Sequence, residues 1–173
     1  EDNAHRLWVG TRDGKINVYT SGWQWLGHLT TDGRIAKNGT PIVGVAYRIL
    51  QDSRGDMWIA TKGYGVLHLQ GEGLSYRMQH FAYHADDPDG LSSNSVYDIL
   101  EDGKGRLWMI TFDYGINYLE RGPDGSYRFV NSRNRLKTYP IERCLKARSM
   151  MRDSQGYLWV ATANGLLAFD ENF

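Results

Sequence analysis

The chain has one cysteine, no excess of charge of either sign and no long apolar run. Each lack excludes something. With Cys144 alone among 173 residues, no intrachain disulfide and no cysteine-based metal site can form, and a single thiol does not fix the redox compartment. Twenty basic residues balance twenty acidic ones, so nothing steers the chain toward a polyanion. The one basic concentration, Arg133, Arg135, Lys137, Arg143, Lys146 and Arg148, is loose and has Glu142 inside it, so no nucleic-acid partner is expected. Residues 1–20 contain Glu1, Asp2, Arg6 and Arg12, and the reading is of a segment with no signal peptide and no membrane span. No G-x-S-x-G elbow, phosphate-binding glycine loop or dinucleotide fingerprint occurs, so no catalytic residue and no cofactor is expected. Asp86, Asp87 and Asp89 crowd oxygens in "DDPDG" but lack calcium-loop spacing, and read as a turn. His68, His80 and His84 do not share a zinc spacing, and no metal is expected.

Aromatics are plentiful: Trp, Tyr and Phe number 6, 11 and 5, a balance found in sheet proteins and in sugar binders. Four tryptophans, Trp8, Trp58, Trp108 and Trp159, fall 50, 50 and 51 residues apart. Six residues before each stands an aspartate: Asp2, Asp52, Asp102 and Asp153. Three residues after stands a threonine: Thr11, Thr61, Thr111 and Thr162. Gly55, Gly105 and Gly156 sit three before the indole, and His5 breaks that pattern in the first copy. Registration of this kind over four tandem copies is the mark of a repeat architecture.

Each full unit reads as four short strands. In the third copy these are "SVYDILE", "RLWMIT", "INYLE" and "YRFV", separated by glycine- and aspartate-containing turns. Short connections pair neighbours antiparallel. One such sheet cannot stand alone, and radial stacking of four-stranded sheets is the β-propeller. Lettering the strands a to d from the axis outward, the first copy supplies b, c and d, the second and third all four, and the last a, b and c. The expected fold is therefore all-β: a partial β-propeller of about three and a half four-stranded antiparallel blades in an open arc, fourteen strands in all. Blade 1 (strands b–d) covers 1–40, blade 2 41–90, blade 3 91–140 and blade 4 (strands a–c) 141–173, within one propeller fragment. The repeat tryptophans are expected between blades, and exposed blade faces make self-association plausible.

The stretch "GLSSNSV" followed by I-x-x-D-x-x-G-x-L-W-x-x-T closely resembles the two-component regulator propeller repeat. The resemblance covers the third copy in full, and Ala46–Leu69 and Ala147–Phe169 well. It implies a non-enzymatic piece of the periplasmic sensor region of a Bacteroides-like hybrid histidine kinase. In that setting the remaining propeller blades, an immunoglobulin-like domain, a membrane helix and the kinase belong to the parent chain, and an oligosaccharide is the implied ligand. A protein-interaction or structural propeller is the alternative, and a propeller glycan hydrolase or lyase a lesser one.

Short a–b and c–d turns share one rim, while b–c turns and long d–a connections share the other. Binding residues favour long connections, so the d–a/b–c rim is the expected ligand side. Its candidates are Arg12, Asp13, Lys62, Tyr64, Asp113, Tyr114 and Asn164. Tyr64 and Tyr114 are equivalent positions one blade apart and suit stacking against a sugar; the bland alternative is packing over their own turns. Ser92, Ser93 and Asn94 are expected to cap the long connection. Trp23 and Trp25 are expected on one face of the outermost strand of the first copy, either as an interaction patch or against a neighbouring blade.

Overall fold

The computed structural model describes residues 1–170 and Asn172. Fifteen strands form four antiparallel sheets. The first contains β1 (Leu7–Gly10), β2 (Ile16–Tyr19), β3 (Trp25–Leu29) and β4 (Ile35–Ala36). The second holds β5 (Val45–Gln51), β6 (Met57–Lys62), β7 (Val66–Gln70) and β8 (Arg77–Phe81). The third is β9 (Val96–Glu101), β10 (Leu107–Thr111), β11 (Gly115–Arg121) and β12 (Tyr127–Asn131), and the fourth β13 (Ala147–Arg152), β14 (Leu158–Thr162) and β15 (Gly165–Phe169). Each sheet runs in chain order, and the set is an open propeller arc.

Two details differ from the sequence expectation. The first sheet has a fourth strand, β4, which pairs with β3 through His28–Ala36 and Leu29–Ile35. It forms because "TTDG" repeats the turn chemistry of "TRDG": Thr30 Oγ1 donates to Arg34 O at 2.8 Å, as Thr11 Oγ1 does to Lys15 O at 3.0 Å. Consequently β3 is not the outermost strand. Trp23 also lies outside it, in a turn at φ 65°, while Trp25 begins the strand.

The core lies in three seams, one between each pair of consecutive sheets. Ile16, Val18 and Leu29 meet Met57, Ile59, Leu67 and Leu69 in the first. Trp58, Ala60 and Val66 meet Ile99, Leu107, Met109 and Phe129 in the second. Trp108, Ile110 and Ile116 meet Ala147, Met150, Leu158 and Val160 in the third. Trp58 and Trp108 are wholly buried at their seams.

A single device recurs under every indole. The Trp Nε1–H donates to the aspartate six residues earlier, at 2.8 Å for Trp8–Asp2, 3.0 Å for Trp58–Asp52, 2.8 Å for Trp108–Asp102 and 2.9 Å for Trp159–Asp153. The other carboxylate oxygen accepts two backbone N–H groups of its own turn, for example Lys104 and Arg106 at 2.8 and 3.0 Å from Asp102. The turn closes on a left-handed residue, Gly55, Gly105 or Gly156. In the first copy His5 takes that conformation at φ 59°, so the turn survives the missing glycine. Three of the carboxylates also meet a guanidinium at 2.8 Å: Asp2 that of Arg6, Asp102 that of Arg106, and Asp52 that of Arg121 from the next sheet.

Burial works against ionising Asp102, but hydrogen bonds from the Trp108 indole, the Arg106 backbone and guanidinium, and the Lys104 backbone outweigh it and hold the carboxyl below its ordinary range. Asp2 is lowered in the same way, burial being outweighed by Trp8 and Arg6. A depressed folded-state pKa contributes stability that is present above the unfolded value, about 3.9, and lost as pH falls through the folded value. Acid unfolding is therefore expected to steepen below about pH 4, and Asp102→Asn is expected to flatten that acid limb in melts from pH 7 to pH 2. Asp102→Ala removes a buried charge and strands the indole and two backbone donors. We expect a loss of about 3 kcal/mol in urea titration at pH 7, against a smaller loss for Asp153→Ala on the last, more exposed sheet.

Candidate functional site

The rim carrying the b–c turns is built around backbone bonds between each turn and the connection that enters the next sheet. Gly44 N–H donates to Gly14 O at 3.1 Å, Gly65 N–H to Asn94 O at 2.8 Å, and Gly115 N–H to Leu145 O at 2.8 Å. Thr61 and Thr111 close their turns by donating to Gly65 O and Gly115 O at 2.8 and 3.1 Å. At Gly115, φ is 66° and an added Cβ would fall 2.2 Å from the Tyr139 ring, so only glycine fits.

The long connection into the third sheet is held by a buried polar network. Asn117 Oδ1 accepts from Ser92 N–H at 3.1 Å and from Asn131 Nδ2 at 2.9 Å, and its own Nδ2 donates to Ser92 Oγ at 2.9 Å. Asn131 Nδ2 also donates to Gly90 O at 3.1 Å. Ser93 Oγ accepts from Ser95 N–H at 3.1 Å, and Asn94 Oδ1 from Tyr83 N–H at 2.7 Å. These side chains order the connection. The "DDPDG" segment is a turn, with Asp87 Oδ1 accepting from Asp89 N–H at 3.1 Å, and among the described residues no cluster could hold a metal ion.

The residues singled out from sequence are distributed along this rim. Arg12 is exposed in the first b–c turn, and Asp13 is occupied by Thr11 and Lys15 of that same turn. Lys62 is exposed at the end of β6. Tyr64 stacks on the His80 ring with centroids 4.2 Å apart, while its carbonyl meets His80 Nε2 at 2.6 Å. Tyr64 thus lies against a strand of its own sheet. Tyr114 and Asp113 are exposed in the equivalent turn. Asn164 donates from Nδ2 to Arg143 O at 2.5 Å and ties down the last connection. Trp23 is 67% exposed beside Tyr19, and Trp25 is 39% exposed with Nε1 donating to Asn17 Oδ1 at 3.2 Å.

A feature not read from the sequence lies on the innermost strands. The pairing of strand a with strand b slips between Ala46 and Arg48, between Val96 and Asp98, and between Ala147 and Ser149. Three consecutive sheets therefore carry a bulge at the same place, with Tyr47, Tyr97 and Arg148 as the extra residues. A bulge re-aims its side chain and commonly borders a functional site. Here Tyr47 and Tyr97 stack with centroids 4.6 Å apart and planes 13° apart. Tyr97 meets Phe112 at 5.4 Å, and the Arg148 guanidinium lies 4.6 Å from the Phe112 centroid and 5.7 Å from that of Tyr97. Lys146 Nζ is 5.4 Å from the Phe112 ring. Burial, and then the facing Tyr47 hydroxyl, push the Tyr97 hydroxyl above its ordinary pKa. Next to this row Arg48 Nε approaches Asp98 Oδ1 at 3.6 Å, and Asp98 Oδ2 accepts from Met150 N–H at 3.2 Å, so a polar line crosses three sheets. The available signal was the tyrosine standing eleven residues before the repeat tryptophan in two adjacent copies.

A family model described as two component regulator propeller matches residues 42–63, 90–113 and 144–164. No curated protein matches the sequence. Among solved structures, the extracellular domains of two hybrid two component systems of B. thetaiotaomicron, BT3049 and BT4673, are 22% and 24% identical, with TM-scores of 0.68 and 0.69 over 99% of this chain. The chain spans 21% and 22% of those two chains, about a fifth of their length. The Cps50 (Swd1) β-propeller domain of Myceliophteria_thermophila shares the fold at 16% identity and TM-score 0.59, over 99% of this chain and 51% of that one.

The network around Asn117 yields a direct test. Asn117→Leu keeps the branched shape but strands the buried Ser92 N–H and takes one partner each from Ser92 Oγ and Asn131 Nδ2. A loss of about 2–3 kcal/mol is expected, with faster amide exchange at residues 90–95 read by hydrogen-exchange mass spectrometry.

Proposed function

We propose that the chain, whose second, third and fourth sheets match the two component regulator propeller model, is part of an extracytoplasmic ligand-sensing propeller of a hybrid two-component system. The repeat identity carries the reading. In this reading the parent is a membrane-anchored histidine kinase of a Bacteroides-like bacterium, the sensor is periplasmic, and the blades beyond this chain complete it.

The ligand we favour is an oligosaccharide. Sugar rings bind by their CH faces to aromatic rings, with a few polar groups fixing orientation. The b–c/d–a rim supports this with Tyr114, Lys62 and Asp113, and its inner margin adds Tyr47 and Tyr97. Binding would be transmitted by small shifts in how the sheets pack, since each sheet buries its apolar face only against its neighbours. The line from Arg48 through Asp98 to the Met150 backbone offers one route across three sheets.

A specific observation favours a second reading, a protein-interaction surface. Trp23 holds a positive φ that bulky residues avoid, yet leaves its ring 67% exposed next to the partly exposed Trp25. Such strain and exposure together suit an anchor for a partner chain.

Calorimetric titration of the chain with a panel of neutral and acidic oligosaccharides separates these readings. Saturable binding that weakens about tenfold, roughly 1.4 kcal/mol, in Tyr97→Ala and is unchanged in Trp23→Ala is expected. Absence of saturable binding by the chain and by its parent sensor would overturn the oligosaccharide assignment. A partner protein lost only in Trp23→Ala would replace it.

A further inference from the structure

The inner margin of the rim combines aromatic surface with cations that lack an ionic partner. Arg148 lies over the Phe112 and Tyr97 rings and Lys146 over Phe112. Among the described residues, the ion pairs within 4.0 Å include neither of them. The nearby carboxylate of Asp98 is engaged by Arg48 and by the Met150 N–H. Asp113 is the other acidic group of this neighbourhood and stands in the exposed b–c turn. The local count is thus three cations, Arg48, Lys146 and Arg148, against two carboxylates.

A guanidinium resting against aromatic rings keeps its N–H donors available for a ligand. A planar fork held in this way matches the two oxygens of a carboxylate. The apolar surface beside it is supplied by two residues that the repeated bulge turns toward the same place, Tyr47 and Tyr97, of which Tyr47 is 40% exposed.

Resting on the sensor reading above, we propose that this inner patch recognises an acidic oligosaccharide through a uronate residue. One pyranose CH face lies against the exposed Tyr47 ring, which Tyr97 backs, and the carboxylate of the uronate is held by Arg148 with Lys146 beside it. Tyr97 is a positioning surface, and Arg148 decides between acid and neutral sugar.

The experiment is calorimetry of the full 173-residue chain with galacturonate and glucuronate trisaccharides, their neutral galactose and glucose counterparts of the same linkages, and acetate. The expected result is uronate binding at least tenfold tighter than neutral binding, weakened by added salt, with acetate far weaker than either trisaccharide. Arg148→Gln is expected to abolish the preference for acid while leaving neutral binding in place. Tyr97→Phe should retain uronate affinity and Tyr97→Ala lose it, with thermal melts confirming that each variant folds. Equal affinity for acidic and neutral sugars, unchanged in Arg148→Gln, would overturn the uronate proposal and leave the oligosaccharide reading standing. Acetate binding as well as the uronates would overturn it in favour of a simple anion site. No binding of any sugar by this chain would overturn the uronate proposal, and the same result with the parent sensor would overturn both.

Discussion

The hydrogen bond from each repeat indole to the aspartate six residues before it is the contact on which the structure depends. It couples two scales. One carboxylate oxygen shapes a five-residue turn, and the other fixes the largest side chain of the sheet. A tryptophan locked in this way can serve as a rigid wall for the sheet that follows. Trp58 meets Ile99, Met109 and Phe129, and Trp108 meets Met150 and Val160. A buried carboxylate would be costly without compensation. Here it accepts bonds from the indole, two backbone amides and, in three copies, a guanidinium. The local turn, the sheet face and the seam are thereby specified together, and local and global preferences agree.

Around that scaffold the two rims divide the labour. The rim of D-x-x-G turns is spent on structure: Asn3 N–H donates to Gln51 and Ser53 N–H to Glu101, joining each turn to the next sheet. The opposite rim is also bonded through its backbone, but Arg12, Lys62, Asp113 and Tyr114 are left exposed on it. There the three bulges give a row of equivalent positions filled by unlike residues, tyrosine, tyrosine and arginine. Repetition supplies the geometry and sequence variation supplies the chemistry, a division suited to a fold that carries many functions.

Much of this was legible in the sequence. The spacing of Trp8, Trp58, Trp108 and Trp159 was enough for the sheet count, the seams and the open arc, because a period of this length leaves few alternatives. The role of Thr61 and Thr111 in closing the next turn was also readable from their place. Strand β4 escaped notice because two residues give no alternation; only its preceding "TTDG", a near copy of "TRDG", marked it. The indole–aspartate bond was hidden because an aspartate in such a turn already has a local use. The inner row of Tyr47, Tyr97 and Arg148 was missed for a different reason. A bulge shifts side-chain direction by one residue, so a strict alternation places these residues wrongly. Tyr64 looked equivalent to Tyr114, but His80 stands beside the first, and in the third sheet the matching position is Asn131, buried and bonded to Asn117 and Gly90.

The arginine that neutralises Asp52 comes from the following sheet, whereas Asp2 and Asp102 are met by arginines of their own turns. An ionic tether therefore spans the joint between the second and third sheets. Sliding one sheet over the other there would pull opposite charges apart in a dry setting, so that joint resists shear. Torsion imposed on the arc would concentrate on either side of it, and the middle two sheets would travel as one rigid block.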